Sequence, residues 1–417
     1  MSRPLRFFLG AFGQPGHAFP MLALGRELVG RGHQVSFETW ERWREPVKAA
    51  GMQFLPAPEY PVFPTRGRPL QPYEVVARAT AHTRPTVAQA RPDVVVHDIL
   101  TLAPALAGEL EGIPVATLIP HVYPVGAQGF PPYAFGARMP RTGIGRTLWR
   151  VFDRPVAKGL AQGRAELNDT RHQLGLSPVT RFHGGLSTEL VLVGTYPELE
   201  YPRDWPDHVH VVGPLIWEPA SEPVVPPPGD APLVLVAPST AQDPEHRLLR
   251  AALAGLGREP LRVLATWNRR PMDGPATVPA NMRLVEWISY AQTMPESALV
   301  ICHAGHGTMV RALASGATVL TVPHVGDMAE NATRADWAGV GVRLPWSLLG
   351  PRSLALAVRR ALERSELASA VQRLIAANPI GAGPARAADR LEQLAGRGRP
   401  ELRSSGPTAA RQPAQPA

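Results

Sequence analysis

The 417-residue sequence predicts an α/β protein made of two doubly wound, mostly parallel-sheet domains that face each other across a cleft. Three observations carry that expectation. Strand-like and helix-like segments alternate through both halves. A proline-rich stretch, "EPASEPVVPPPGDAP" (218–232), separates the halves. Each half also has a strand that ends in a glycine-containing turn with a histidine and opens a helix: "GQPGHAFP" (13–20) and "HAGHGT" (303–308). Two domains suit the length, since single cores stop growing at roughly 250–300 residues. The expected division is 1–217, a linker over 218–231, 232–395 with a last helix free to pack back on the first domain, and a disordered tail over 396–417.

In the first half, "LRFFLGAF" (5–12) reads as a strand leading into a helix over 20–32, with Pro20 near its start and Gly32 past its end. Strands "QVSFET" (34–39) and "QFLPA" (53–57) flank a helix near 41–50, and a helix over 73–90 precedes the β-branched run "DVVVHD" (93–98). A helix over 102–112 leads to "IPVATLIP" (113–120). The usual strand order, 3-2-1-4-5, makes the first and fourth strands neighbours at the switch point, so the residues after them share a crevice. Those residues include His17 and Asp98.

Residues 121–150 are aromatic and rich in Gly and Pro without a period, which predicts a long functional loop. Helix returns near 146–174, and "TELVLVG" (188–194) and "VHVVG" (209–213) close the half. The second half opens with "PLVLVAPST" (232–240), a helix near 244–256, and strands at 260–267 and 281–288. Then "ALVICHAGHGTMVRALASGATVLTVPHVGDMAEN" (298–331) reads strand, turn, helix from near Thr308, strand, loop, with three helical stretches from 351 to 395.

Composition excludes several functions. The net charge of +8 is spread over scattered arginines, with only Lys48 and Lys158 as lysines, so no basic stripe marks a nucleic-acid partner. A single cysteine, Cys302, allows no internal disulfide and no multi-cysteine metal site, and points to a reducing, cytoplasmic setting. The apolar run at the start is too brief for a secretory signal, and no stretch approaches the ~18 apolar residues a membrane span needs.

In "HAGHGT", Gly305 and Gly307 let backbone amides approach an anion, and the helix that follows offers free N–H groups and the positive end of its dipole. His303 and the Thr308 hydroxyl can add donors. The bland alternative is a tight turn with incidental histidines; the G-x-x-x-x-G-K-[ST] phosphate loop is absent. His17 can likewise be a turn residue and Asp98 a helix cap. Together they suit base catalysis, because an imidazole with an ordinary pKa near 6.5 can accept a proton from an attacking hydroxyl.

From Trp287 through "HAGHGT" to "PHVGDMAEN", the sequence resembles the nucleotide-sugar-binding signature of inverting GT-B glycosyltransferases, the family of UDP-glucuronosyl/glucosyltransferases and bacterial antibiotic and macrolide glycosyltransferases. "PGHAFP" and "RPDVVVHD" resemble that family's base and partner motifs, and the likeness runs to about residue 395. The resemblance implies His17 as the base and Asp98 as its partner. It implies Trp287 and the Ile288 backbone at the donor's base, and His303, Gly305, His306, Gly307, Thr308, Ser239 and Thr240 at the pyrophosphate. Asp327 would bind the sugar, with Met328 beside it, and Glu330 and Asn331 the ribose or phosphate; Gly13 would let the ligands approach.

No D-x-D is present, so neither metal nor cofactor is expected. The partners expected are a UDP- or dTDP-sugar and a lipophilic acceptor such as a polyketide or phenolic, for a monomer or homodimer. The loop at 121–150 and the segment 60–75 would shape the acceptor pocket. Two positions depart from the family. Met328 stands where Gln is common, which suits a deoxygenated sugar, and Tyr290 stands where W-x-x-Q places Gln. The competing readings are an NAD- or flavin-dependent oxidoreductase, with Glu38 binding a ribose, and a GT-B sugar-nucleotide binder or epimerase.

Overall fold

The computed structural model describes residues 3–59, 75–239, 242–274, 276–324 and 326–397. The expected acceptor segment up to residue 74, Thr240, and the tail from 398 onward lie outside the described residues.

The first sheet has seven parallel strands: β1 Arg6–Gly10, β2 Gln34–Thr39, β3 Gln53–Pro56, β4 Val94–Asp98, β5 Val115–Ile119, β6 Leu190–Val193 and β7 Val209–Val211. Their order is 3-2-1-4-5-6-7, so β1 and β4 lie side by side, with Leu9 opposite Val96 and Gly10 opposite His97. The second sheet comprises β8 Leu233–Ala237, β9 Arg262–Thr266, β10 Met282–Val285, β11 Leu299–Cys302, β12 Thr318–Thr321 and β13 Gly341–Arg343, in the order 10-9-8-11-12-13. The runs Val94–Val96 and Leu299–Cys302 are buried throughout, as parallel strands covered on both faces require.

The first sheet is covered by α1 Pro15–Gly30, α2 Arg44–Ala49, α3 Val76–Ala90, α4 Leu102–Leu110, α5 Gly143–Trp149 and α6 Asp153–Gln173. Around the second lie α7 Arg247–Leu256, α8 Tyr290–Thr293, α9 His306–Ala314, α10 Met328–Trp337, α11 Pro351–Glu363 and α12 Ser365–Ala377. The last helix, α13 Ala382–Gly396, crosses back: Ala387, Leu391 and Leu394 are buried in the core of the first sheet beside Leu22 and Leu28. Arg31 at the end of α1 meets it with bonds to Asp389, Glu392 and the Ala385 carbonyl. Gly383 lets the chain pass close there, since a Cβ on it would lie 2.3 Å from the Pro214 oxygen.

Three local departures from the sequence reading matter for the site. Helix α1 begins at Pro15, not Pro20, because Pro15 at the first helical position has its φ preset and no N–H to satisfy. His17 therefore sits in a helical first turn. Helix α9 begins at His306, two residues before Thr308. Helix α10 begins inside the stretch expected as a loop and strand β13 follows in a stretch left unassigned, since the buried side of α10 carries Glu330, Asn331, Thr333 and Arg334 and shows no apolar period.

That polar face closes the two halves together. Arg334 reaches from α10 to Glu200 (2.7 Å) and the Leu199 carbonyl of the first half, pairs with Glu330 (2.8 Å), and lies 4.1 Å over the Tyr201 ring. All three charges are buried. Thr333 and Arg343 hold the Gly136 carbonyl of the long loop, and His306 donates to or accepts from Thr195 across the cleft. Arg334→Ala strands two buried carboxylates, an effect typically of about 3–5 kcal/mol. Denaturant unfolding should show a loss of that order, whereas Arg359→Ala, which removes an exposed arginine paired with Glu259, should leave the midpoint nearly unchanged.

Candidate active site

The carboxyl ends of β1, β4, β8 and β11 open onto one cavity of about 330 Å³ between the sheets. Asp98 ends β4 and is fully buried. Its Oδ2 accepts from the Phe12 amide (2.6 Å) and the Thr101 hydroxyl (2.8 Å), and its Oδ1 from the Leu100 amide (2.9 Å) and His17 Nδ1 (2.8 Å). Burial pushes the Asp98 carboxyl up, but the His17 charge and these donors outweigh it and bring it down to about 2. An ionised carboxylate only accepts, so His17 Nδ1 donates to Asp98, and among the described residues no hydrogen bond engages Nε2. The ring lines the cavity, with Phe12 edge-on to it at 6.0 Å.

The opposite wall is the start of α9. Gly305, His306, Gly307 and Thr308 line the cavity, and a Cβ on either glycine would meet nothing within 4 Å. The strained residue of the turn is Ala304, at φ +62. Asn331, fully buried, donates to the Ala304 carbonyl (3.0 Å) and to Asp327 (3.1 Å), so it braces the turn. Asp327 and Met328 line the cavity at the cap of α10, and Trp287 lines it with the Arg269 guanidinium 4.7 Å over its ring. Tyr290 is buried with its hydroxyl 3.3 Å from Asn268 Nδ2.

Several expected donor residues have other partners. Gly13 is absent from the cavity: its carbonyl accepts from Trp43 Nε1, and a Cβ on it would fall 2.1 Å from the Trp40 ring, so close packing requires the glycine. Glu330 is committed to Arg334. The Ile288 side chain is buried in the second core. The His306 ring bonds to Thr195, and burial brings it down to about 3, so its contribution to the cavity is its backbone. His303 also lines the cavity: its Nδ1 accepts from the Ser239 amide (2.9 Å), while Nε2 lies 3.3 Å from Asp243 Oδ2 without a formed hydrogen bond.

Two residues escaped the sequence reading. Asp243 caps α7 through the Arg247 and Leu248 amides and orients His303; burial pushes its carboxyl up, yet His303 and those amides bring it down to about 2. Its only sequence signal was a first-turn acid. His121, after β5, lines the cavity, gives its Nδ1 to the Val122 carbonyl, and is held low by burial. Of the long loop, the cavity takes His121, while Phe130 packs on Tyr201 and Phe135 on Phe152. The apolar wall of the cavity is instead Phe12, Phe19, Leu100, Leu215 and Ile216.

Glu38 removes the support for a dinucleotide reading. It is buried against Thr83 on α3 (2.8 Å) and does not reach the cavity.

Residues 250–394 match the family model described as the C-terminal domain of erythromycin biosynthesis protein CIII-like proteins. The chain is 28% identical to 4'-demethylrebeccamycin synthase of Lentzea aerocolonigenes, over 84% of this chain and 89% of that protein. Its fold matches the crystal structure of the kitacinnamycin glycosyltransferase at a TM-score of 0.74, with 20% identity, over 94% of this chain and all of the other. The chain has the GT-B fold of these glycosyltransferases. A further fold match is the glycosyltransferase VinC in complex with DTDP, with a TM-score of 0.66 and 20% identity over 94% and 100% of the two chains. The enzyme is therefore a nucleotide-sugar-dependent glycosyltransferase.

Burial pushes the Glu38 carboxyl of this glycosyltransferase up to about 7, only partly opposed by Thr83. Between pH 4.5 and about 7 the folded chain holds a proton that the unfolded chain has released, so Glu38 lowers stability as pH rises through that window. Glu38→Gln should be about 3 kcal/mol more stable than the parent at pH 8, and the two should converge below pH 4.5 when unfolding is followed across pH.

Proposed function

We propose that this enzyme is an inverting transferase that moves a deoxysugar from a dTDP- or UDP-sugar to a hydroxyl of a lipophilic natural product, with His17 as the base. The carrying observation is the 2.8 Å contact between His17 Nδ1 and buried Asp98 in the same cavity as the start of α9. As the acceptor oxygen bonds to the anomeric carbon, its proton passes to His17 Nε2. Asp98 stabilises the imidazolium, and the bond from the anomeric carbon to the phosphate oxygen breaks with its electrons on the leaving nucleoside diphosphate. The free amides from Gly305 to Thr308 and the dipole of α9 take up that charge.

No metal or other cofactor enters the scheme, because the helix end supplies the positive potential. The apolar wall of Phe12, Phe19, Leu100 and Ile216 supports a lipophilic acceptor. Met328, clustered with Ala304 and Ala332, supports a sugar lacking a hydroxyl. The neighbour solved with DTDP supports a thymidine donor. A cytoplasmic setting is supported by the reduced, buried Cys302.

His17→Ala should lower kcat by about 10²–10⁴-fold with little change in donor KM; turnover within a few-fold of the parent sinks the mechanism. Asp98→Asn should lose activity similarly and lose stability at neutral pH. The sign follows from the depressed carboxyl: its contribution is present above pH 3.8 and fades as pH falls toward about 2. In a panel of UDP- and dTDP-sugars, Met328→Gln should shift preference toward the fully hydroxylated donor by roughly 10-fold. Turnover should survive EDTA.

A further inference from the structure

One surface of the first half is left uncovered. Between residues 141 and 158 the chain is almost wholly helical, through α5, a 3₁₀ turn at Arg150–Phe152 and the start of α6, yet most of its side chains are exposed. Ile144, Leu148 and Val151 are 78%, 70% and 71% exposed. Their spacing of i, i+4 and i+7 puts them on one helical face. Arg146, Arg150 and Arg154 follow at i, i+4 and i+8 along the neighbouring face, all exposed, with Arg141 and Lys158 at the ends. Asp153 is the only acid in the stretch, and among the described residues none of these five cations has an ion pair. Such a surface would not stay uncovered for want of apolar reach: Trp149 and Phe152 stack beneath it and Phe135 packs on Phe152.

Charge decides what can cover this face. A second copy meeting it through a two-fold axis would set five cations against five. The segments outside the described residues are also unsuited, since 60–74 carries Arg66 and Arg68 against Glu74, and 398–417 carries Arg399, Arg403 and Arg411 against Glu401. A protein interface concentrates apolar anchors at a charge-depleted centre, whereas here three apolar side chains share an exposed segment with five cations and one acid. An exposed apolar stripe edged by basic residues is the composition of a helix lying in a lipid interface. We propose that residues 141–158 dock the enzyme on an anionic lipid surface, with Ile144, Leu148 and Val151 entering the headgroup boundary and the arginines pairing with lipid phosphates. No described helix is long and apolar enough to cross a membrane, so the attachment is peripheral. The proposal goes beyond the transfer reaction and is independent of which sugar or acceptor is used.

The test is co-sedimentation of the full chain with phosphatidylcholine vesicles, with and without about 30% phosphatidylglycerol. At low ionic strength the chain should pellet with the anionic vesicles and stay in solution with the neutral ones, and about 0.5 M salt should release most of it. Replacing Arg146, Arg150 and Arg154 with Gln should weaken anionic binding by about a hundredfold. Changing Ile144, Leu148 and Val151 to Ser should weaken it at both salt concentrations. Thermal unfolding of both triple variants checks that the fold is kept. A chain that stays in the supernatant with anionic vesicles, or variants that bind as the parent does, overturns the proposal; the face then belongs to an acidic protein or to nothing.

Discussion

The Asp98 carboxylate is the point on which the first half is organised. It ends β4 with no exposure, and its two oxygens accept from four groups: the Phe12 amide after β1, the Leu100 amide, the Thr101 hydroxyl before α4, and His17 in α1. Those four donors come from three segments that sequence separates and the parallel pairing of β1 with β4 brings together. A buried charge is tolerated only when its hydrogen-bonding capacity is filled. The same bonds that make Asp98 affordable in the interior therefore fix the His17 ring, its tautomer and the turn around it.

The second half has a comparable arrangement with a different product. Asp243 and His303 form a buried pair, but both ring nitrogens of His303 lie beside protein groups, and the pair holds the Ser239 loop beside the cavity. What that wall offers a ligand is backbone: the open glycines and free amides at the start of α9, braced by Asn331 through Ala304. A histidine with one free nitrogen suits proton transfer, and a helix end suits a diphosphate. The two walls meet because Arg334, Thr333 and His306 tie α10 and α9 to the first half, which sets the His17–Asp98 pair and the start of α9 across one 330 Å³ space.

The central strands, the 3-2-1-4-5 order and the pairing of His17 with Asp98 were legible because each rests on local pattern or on a topological rule. Helix α10 was not, because it buries Glu330, Asn331 and Arg334 against partners from the other half, and a helix with a polar buried face has no hydrophobic period to read. Glu330 pairs with Arg334, a partner that no local pattern announces. His121 and Asp243 went unread since neither lies in a turn of distinctive composition; their surroundings are assembled from distant segments.

By itself the sequence determined the two alternating halves, the glycine turns with their histidines, and the chemistry those residue types can perform. Periodicity, β-branching and helix-start residues are written over a few neighbouring positions, and they act before the chain has folded. Only the tertiary structure decided which side chains are spent on the protein and which are left for a ligand. Gly13 packs on Trp40, the His306 ring bonds to Thr195 and Glu330 pairs with Arg334, whereas His17, His303 and the start of α9 face the cavity. Each polar group has a limited number of hydrogen bonds, and where they go is fixed by packing between segments hundreds of residues apart.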